Sequence, residues 1–194
     1  MRFVWVDAGN DPDWSKGDRH GITGWFMPMF DSRTTLSMMQ QIKSRGKVAG
    51  IYFGHGWFGD ITPEQLVAKA TAEYLRVKVP DLRVMFNLEQ HDPGYIIRVL
   101  ELWRSKFPTV GTSWSPEGMQ GGWMTGDFVE RVVATKTRVV PQCFVGNMGR
   151  RESDIVLRDL LKMGFPHTSV TMFYDGAQLG DGWDGYVFTM GRLP

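Results

Sequence analysis

Apolar residues occur along this chain in eight short runs, most of which are apolar at both odd and even positions. Short runs with two apolar faces are typical of strands in a parallel sheet covered by helices. The predicted strands are residues 3–7, 22–30, 48–53, 82–89, 109–114, 138–145, 169–174 and 185–190.

Between most of these runs, apolar positions recur every three or four residues, which predicts amphipathic helices. The predicted helices begin at or just after Thr34, Thr62, Asp92, Asp127 and Ser153. Thr62 is followed by proline and, three residues on, by glutamine, which is the pattern of a capping box. The helices after the first and seventh strands are expected to be short or missing, and residues 13–15 open one helical turn at most.

The alternation of strands and helices predicts an α/β fold, a small (β/α)₈ TIM-like barrel in a single domain over residues 1–194. The chain is slightly shorter than most such barrels. A doubly wound open sheet is the alternative. It fits less well because residues 7–12, after the first strand, lack the glycine-rich phosphate-binding pattern of that fold.

Composition excludes several classes of function. The 22 basic and 21 acidic residues form no basic stripe, so no nucleic-acid partner is expected. The single cysteine, Cys143, allows neither an intrachain disulfide nor a cysteine-based metal site. The first run is too short, and too soon polar, for a signal peptide or a membrane span. His55 and His91 lack the spacing of a metal site, so no metal and no cofactor is expected.

Polar residues arrive together at the end of the fourth strand. Asn87, Glu89, His91 and Asp92 fall within six residues of an otherwise apolar run. Residues two apart in a strand share a face, so we expect Asn87 and Glu89 to point the same way. Asp92 precedes a proline and is predicted to cap the next helix. Glu89 fits either a solvated or ion-paired strand end or a catalytic carboxyl.

Barrel enzymes build their sites from the carboxyl ends of the strands. Carboxylates and aromatic residues, with few cations, favour a sugar site there over a phosphate site. Glycoside hydrolysis needs one carboxyl as acid and a second as base, nucleophile or charge stabiliser. We assign the first role to Glu89, whose apolar surroundings would raise its pKa, and the second to Asp7 and Asp175. The predicted substrate-binding residues are Asn87, His55, His91, Trp57, Trp114, Tyr174 and Asp31.

A family resemblance rests on four short motifs. These are Asp7 at the end of the first strand, Asp13-Trp14, Gly50-Ile51-Tyr52-Phe53, and Asn87-Leu88-Glu89. Together they resemble the lysozyme-type muramidases of glycoside hydrolase family 25 and related phage and bacterial barrels. The resemblance implies Glu89 as general acid and Asp7 as a supporting carboxylate. It also implies a cell-wall, surface or peptidoglycan-type polysaccharide as ligand. The protein would then be a phage lysin or tail protein, either virion-associated or released at the cell wall, and other tail proteins would be its partners.

One residue departs from that family pattern. The fourth strand of those muramidases carries Asp-x-Glu, whereas this chain has Asn87 at the first position. An amide cannot act as a base or stabilise a positive charge, although it can orient a substrate acetamido group. Two hypotheses follow: a glycosidase in which Asp7 and Asp175 supply the missing charge, or a non-catalytic structural or glycan-binding protein on a degenerate barrel.

Overall fold

The computed structural model describes residues 2–6, 11–29, 33–54, 58–88, 92–116, 126–143, 158–166, 172–174 and 186–189. The strands in these ranges are β1 Arg2–Trp5, β2 Gly24–Pro28, β3 Val48–Phe53, β4 Arg83–Asn87, β5 Thr112–Ser115, β6 Arg138–Val139, β7 Gln142–Cys143, β8 Met172–Tyr174 and β9 Tyr186–Thr189. The helices are α1 Trp14–Arg19, α2 Leu36–Ser44, α3 Pro63–Arg76, α4 Pro93–Lys106, α5 Gly126–Ala134 and the segment 158–162. Within these ranges, no helix combines the length and the apolar character needed to cross a membrane.

The strands form a parallel sheet that follows the order of the chain. Strands β1 to β6 are neighbours in sequence order, and together with their helices they make a curled half-barrel. On the other side of β1 the sheet continues through β9, β8 and β7, again with parallel pairs. This architecture agrees with the predicted α/β, TIM-like class. The predicted sixth strand, residues 138–145, is present as the two short strands β6 and β7.

Side chains alternate between two apolar faces of the sheet. The outer face packs against the helices and includes Val4, Val6, Trp25, Met27, Ile51, Phe53, Val84 and Phe86. The inner face carries a second buried cluster of Phe3, Trp5, Phe26, Tyr52, Met85 and Val140. Because both faces are buried, the strands read as nearly unbroken apolar runs in the sequence.

Two glycines make room for the aromatic rings of the inner face. A Cβ atom on Gly24 would lie 2.4 Å from the Phe3 ring, and one on Gly50 would lie 2.5 Å from the Phe26 ring. The two rings are themselves in contact, with centroids 5.4 Å apart. Glycine is therefore required here for steric reasons, because any larger residue would displace a packed ring.

The helix starts largely follow the sequence signals. The Thr62 hydroxyl accepts a hydrogen bond from the Gln65 backbone N–H at 3.3 Å, and the Gln65 side chain accepts one from the Thr62 N–H at 2.8 Å, as a capping box requires. The predicted cap Thr34 is wrong by one residue, since Thr35 caps α2. The Thr34 hydroxyl is buried and donates to the Pro28 carbonyl instead.

Arg104 forms hydrogen bonds with both loops that precede β5 and β6. Its guanidinium donates to the carbonyl oxygens of Pro108, Val110, Thr135 and Lys136. Burial lowers the pKa of Arg104 from its ordinary value. The side chain thus satisfies several loop carbonyls that form no strand pairs, and it joins α4 to both connections.

Candidate functional site

The structure describes only part of the predicted site. The side chains of Asn87 and Trp114 are described, and Tyr174 is described through its backbone as the last residue of β8. The remaining predicted site residues lie outside the described residues; they are Asp7, Asp31, His55, Trp57, Glu89, His91 and Asp175.

Asn87 is the last residue of β4 and lies on the inner face at the carboxyl end of the sheet. Its neighbours Phe86 and Leu88 belong to the outer, helix-facing core, so alternation turns Asn87 inward. The residue is 8% exposed and pairs in register with Ser115 of β5. The sequence places Glu89 two positions further along the chain.

The structure corrects one predicted substrate contact, Trp114. Its side chain is fully buried in the outer core and packs edge-on against Phe128 of α5, with ring centroids 5.6 Å apart. Thr112, two residues earlier, also faces the helices, and its hydroxyl accepts a hydrogen bond from the Trp103 indole N–H at 3.1 Å. An aromatic residue near a strand end favours a sugar contact, but the position of Trp114 in the alternation points its ring towards α5.

The same alternation turns Ser113 and Ser115 inward, with Ser115 opposite Asn87 and Ser113 opposite Met85. Ser113, Ser115 and Asn87, which we term the β4–β5 polar patch, are all buried. The Ser115 hydroxyl is fully buried and has no hydrogen-bond partner among the described residues. A buried polar atom without a partner costs about 1–3 kcal/mol. Sequence reasoning missed these serines, although their spacing of two in a comparatively polar strand was a usable signal.

Aromatic residues lie directly beneath this level of the sheet. The Trp5 and Tyr52 rings on the inner face have centroids 3.8 Å apart, and the Tyr52 hydroxyl donates to the Val6 carbonyl at 2.8 Å. Trp5 is 7% exposed and Tyr52 is 1% exposed. Among the described residues, these rings occupy the inner face at this depth.

Asp92 has the structural role predicted from its sequence context. Its side chain accepts a hydrogen bond from the Tyr95 backbone N–H at 3.0 Å and caps α4, with Pro93 at the first helical position. We expect Asp92→Ala to lower the free energy of unfolding by about 1 kcal/mol, and Asp92→Asn to lower it much less, because asparagine also caps helices. Urea denaturation measures both values. A large loss of a measured activity in Asp92→Asn, with stability kept, would contradict a purely capping role.

The described residues also line a cavity of about 690 Å³, but it lies at the other end of the sheet. It is bounded by the end of α3, by residues 79–83 leading into β4, and by residues 109–111 before β5. Burial and the nearby Arg138 lower the pKa of Arg83, one of its lining residues. Neither Asn87 nor Trp114, the two predicted site residues whose side chains are described, lines this cavity. In the described part of the chain, no group of three histidine, cysteine or acidic residues is arranged to hold a metal ion.

Comparisons with known proteins give evidence about the fold alone. No protein-family model matches the sequence, and no curated protein matches it. The structure is similar to the catalytic domain of a hyperthermophilic chitinase from Pyrococcus furiosus, with a TM-score of 0.65 and 15% identity over 98% of this chain and 76% of the chitinase chain.

Two further solved structures extend this comparison. Catalytic-site mutants of active domain 2 of a thermostable Pyrococcus furiosus chitinase, complexed with chito-oligosaccharides, give a TM-score of 0.63 at 14% identity, over 98% of this chain and 76% of that chain. The apo form of 3-keto-D-glucoside 4-epimerase from E. coli gives 0.51 at 12% identity, over 100% and 93% of the two chains. These likenesses do not show the muramidase family or a phage origin. What they show is a TIM-like α/β fold of the kind found in a glycoside hydrolase.

Proposed function

We propose that this protein is a glycoside hydrolase acting on a polysaccharide, with Glu89 as the general acid. The observation that carries the proposal is the β4–β5 polar patch, which interrupts an otherwise apolar inner face at the carboxyl end of the sheet. Asn87 of that patch lies two residues before Glu89 in the sequence. The likeness in fold to a chitinase catalytic domain, one structure of which contains chito-oligosaccharides, supports a carbohydrate as the ligand class.

We also propose that the sheet closes into the eight-stranded barrel of a single domain over residues 1–194. Strand β6 pairs with β5, β7 pairs with β8, and only Val140 and Pro141 separate the two. Read as one interrupted strand, β6 and β7 join the two edges of the sheet. Closure would bring the carboxyl ends of all the strands around one opening, where groups from distant parts of the sequence can meet.

In this proposal the catalytic roles fall to three carboxyl groups. Glu89 protonates the leaving oxygen, and Asp7 or Asp175 supplies the second carboxylate that hydrolysis requires. Asn87 is neutral, so it serves to hydrogen-bond the substrate, with an acetamido group as the fitting partner for its amide. His55, His91, Trp57, Tyr174 and Asp31 are retained as proposed substrate contacts. Trp114 is not retained, because its ring is buried against α5.

The substrate class is tested by incubating the purified protein with chito-oligosaccharides, peptidoglycan and a glucan that lacks acetamido groups. The assay measures new reducing ends. We expect release from the N-acetylated substrates and little from the glucan. Equal release from all three would contradict the role given to Asn87, and release from none of them would contradict the proposed N-acetylglycan hydrolase.

A second function is favoured by Asn87 itself, since an amide stands where the resembling muramidases carry a carboxylate. A degenerate barrel would bind a glycan without cleaving it, as a structural or recognition protein of the phage or cell-surface type that the sequence motifs suggest. Pull-down with insoluble chitin or peptidoglycan, run beside the reducing-end assay, separates the two functions. Binding without release of reducing ends favours this second function.

Ser115 offers a prediction that separates stability from ligand binding. Removing a buried hydroxyl that has no partner removes an uncompensated polar group, so Ser115→Ala is expected to leave the free energy of unfolding unchanged or to raise it by up to about 1 kcal/mol. The same change should leave oligosaccharide binding unaltered, because the Ser115 side chain is fully buried, whereas Asn87 is 8% exposed. Thermal denaturation and titration calorimetry measure the two effects. A destabilised Ser115→Ala protein would show that the hydroxyl is satisfied within the fold.

A further inference from the structure

A proline occupies a position in the sheet where its missing N–H matters. Pro28 ends β2, which lies between β1 and β3 and has a hydrogen-bonded neighbour on each side. Proline cannot donate to a strand ladder and is therefore largely confined to edge strands and bulges. A carbonyl oxygen on a neighbouring strand therefore lacks the hydrogen bond that a backbone N–H at position 28 would donate.

The register identifies this acceptor as the Val6 carbonyl. The Val6 N–H donates to the Phe26 carbonyl at 3.0 Å. In a parallel ladder, the carbonyl of the same residue accepts from the residue two positions further along the neighbouring strand, which here is Pro28. The next residue, Met29, donates to Tyr52 of β3, so its N–H points away from β1. Val6 is fully buried, so loss of this ladder bond would leave a buried carbonyl unsatisfied.

Tyr52 supplies the donor that Pro28 lacks. It pairs in register with Pro28, and its hydroxyl donates to the Val6 carbonyl at 2.8 Å. Its ring is 1% exposed and packs against Trp5, with centroids 3.8 Å apart. The side chain of a β3 residue therefore completes the hydrogen bonding between β1 and β2.

We propose that Tyr52 is a positioning residue, whose hydroxyl replaces the N–H absent from Pro28 and fixes Val6, the residue between β1 and Asp7. The part of this inference that concerns activity rests on the proposed function, in which Asp7 supplies a catalytic carboxylate. The hydrogen-bond replacement stands on the register alone. The two parts therefore need separate measurements.

The hydrogen-bond replacement is tested with Tyr52→Phe, Pro28→Ala and the double variant. Tyr52→Phe leaves the Val6 carbonyl unsatisfied and is expected to raise the unfolding equilibrium constant about tenfold. Alanine at position 28 restores a backbone N–H aimed at β1. We therefore expect Tyr52→Phe to have much less effect in the Pro28→Ala background. An equal loss in both backgrounds, measured by urea denaturation, would overturn the replacement.

The positioning of Asp7 is tested by its backbone amide resonance and by turnover. In Tyr52→Phe the Asp7 amide peak in a ¹H–¹⁵N spectrum is expected to shift, and in the double variant it should return towards its original place. On a substrate that the wild-type protein cleaves, kcat should fall in Tyr52→Phe and recover in the double variant, while KM changes little in both. An unmoved Asp7 peak would overturn the positioning role. Absence of turnover in the wild-type protein would refute the proposed function. The Asp7 peak would still test whether Tyr52 positions Asp7.

Tyr95 provides a matched control for the loss of a tyrosine hydroxyl. Its hydroxyl also donates to a backbone carbonyl, that of Ile61, at 3.0 Å. Tyr95→Phe should lower stability by a factor that does not depend on whether position 28 is proline or alanine. If Pro28→Ala offset both tyrosine changes equally, the rescue would be unspecific and the replacement would be refuted.

Discussion

Replacement of Glu89 by glutamine is expected to lower the rate of glycan cleavage by a factor of about 10²–10⁴, the usual contribution of a positioned general acid. Glutamine keeps the size and hydrogen-bonding capacity of the side chain but cannot donate a proton to a leaving oxygen. Thermal stability should stay unchanged. The measurement is release of reducing ends from the substrate that the wild-type protein cleaves best, with protein concentration and temperature held constant.

Glu130→Gln is the matched control for this change. Glu130 is exposed on α5, and its substitution removes the same charge from a helix surface. It should leave turnover unaltered. Full activity in Glu89→Gln would refute the proposed acid, and an equal loss in both variants would point to an effect of net charge. The pH profile adds a further check, since wild-type activity should decline as pH rises through the pKa of the acid.

The largest expected loss of stability comes from valine at Gly24. The first added carbon would lie 2.4 Å from the Phe3 ring and 3.0 Å from the Val48 carbonyl oxygen. The Phe3 ring has little room to move, because it packs against Phe26 and lies under the Arg83 guanidinium, whose centre is 5.3 Å from the ring centroid. Overpacking of this kind typically costs about 1–3 kcal/mol, and we expect Gly24→Val to lie at or above the upper limit.

Gly126→Ala controls for the general effect of adding a side chain at a glycine. No described residue lies within 4 Å of a Cβ atom at Gly126, which opens α5. Alanine there should leave the denaturation midpoint unchanged or raise it slightly, because alanine is the better helix former. Urea denaturation of both variants gives the comparison. A Gly24→Val protein as stable as the wild type would show that the inner face is loosely packed.

Hydrophobic periodicity predicted the order of the strands and helices well, but not the residues at which they begin and end. The capping box at Thr62 and the cap at Asp92 were readable because each side chain bonds within its own helix turn. Thr34 and Thr35 are equally good caps by type, and only a bond to the distant Pro28 carbonyl removes Thr34 from that role. The sixth strand is interrupted near Pro141, which cannot donate to a ladder.

The inward-facing groups of the site were harder to predict. Residue type indicated one set of contacts, whereas the alternation of side chains along each strand indicated another. The residue type of Trp114 suggests a sugar contact, yet its position in the alternation points the ring outward, against α5. Ser113 and Ser115 have no distinctive residue type, yet both face inward, and Ser115 lies opposite Asn87. The bond from Tyr52 to Val6 joins β3 to β1 and depends on a proline in β2, so no local pattern contains it.

The packed aromatic layer of the inner face also has a consequence for how water would reach the proposed reaction. Phe3, Trp5, Phe26, Tyr52 and Met85 are all nearly inaccessible to solvent, and glycines let their rings approach closely. This layer leaves no passage through the described inner face from its amino end. If the protein hydrolyses a glycan as proposed, water would then enter at the carboxyl ends of the strands, on the same side as the glycan. A long bound polymer would then control its own supply of water, and hydrolysis would depend on how completely the chain covers the opening.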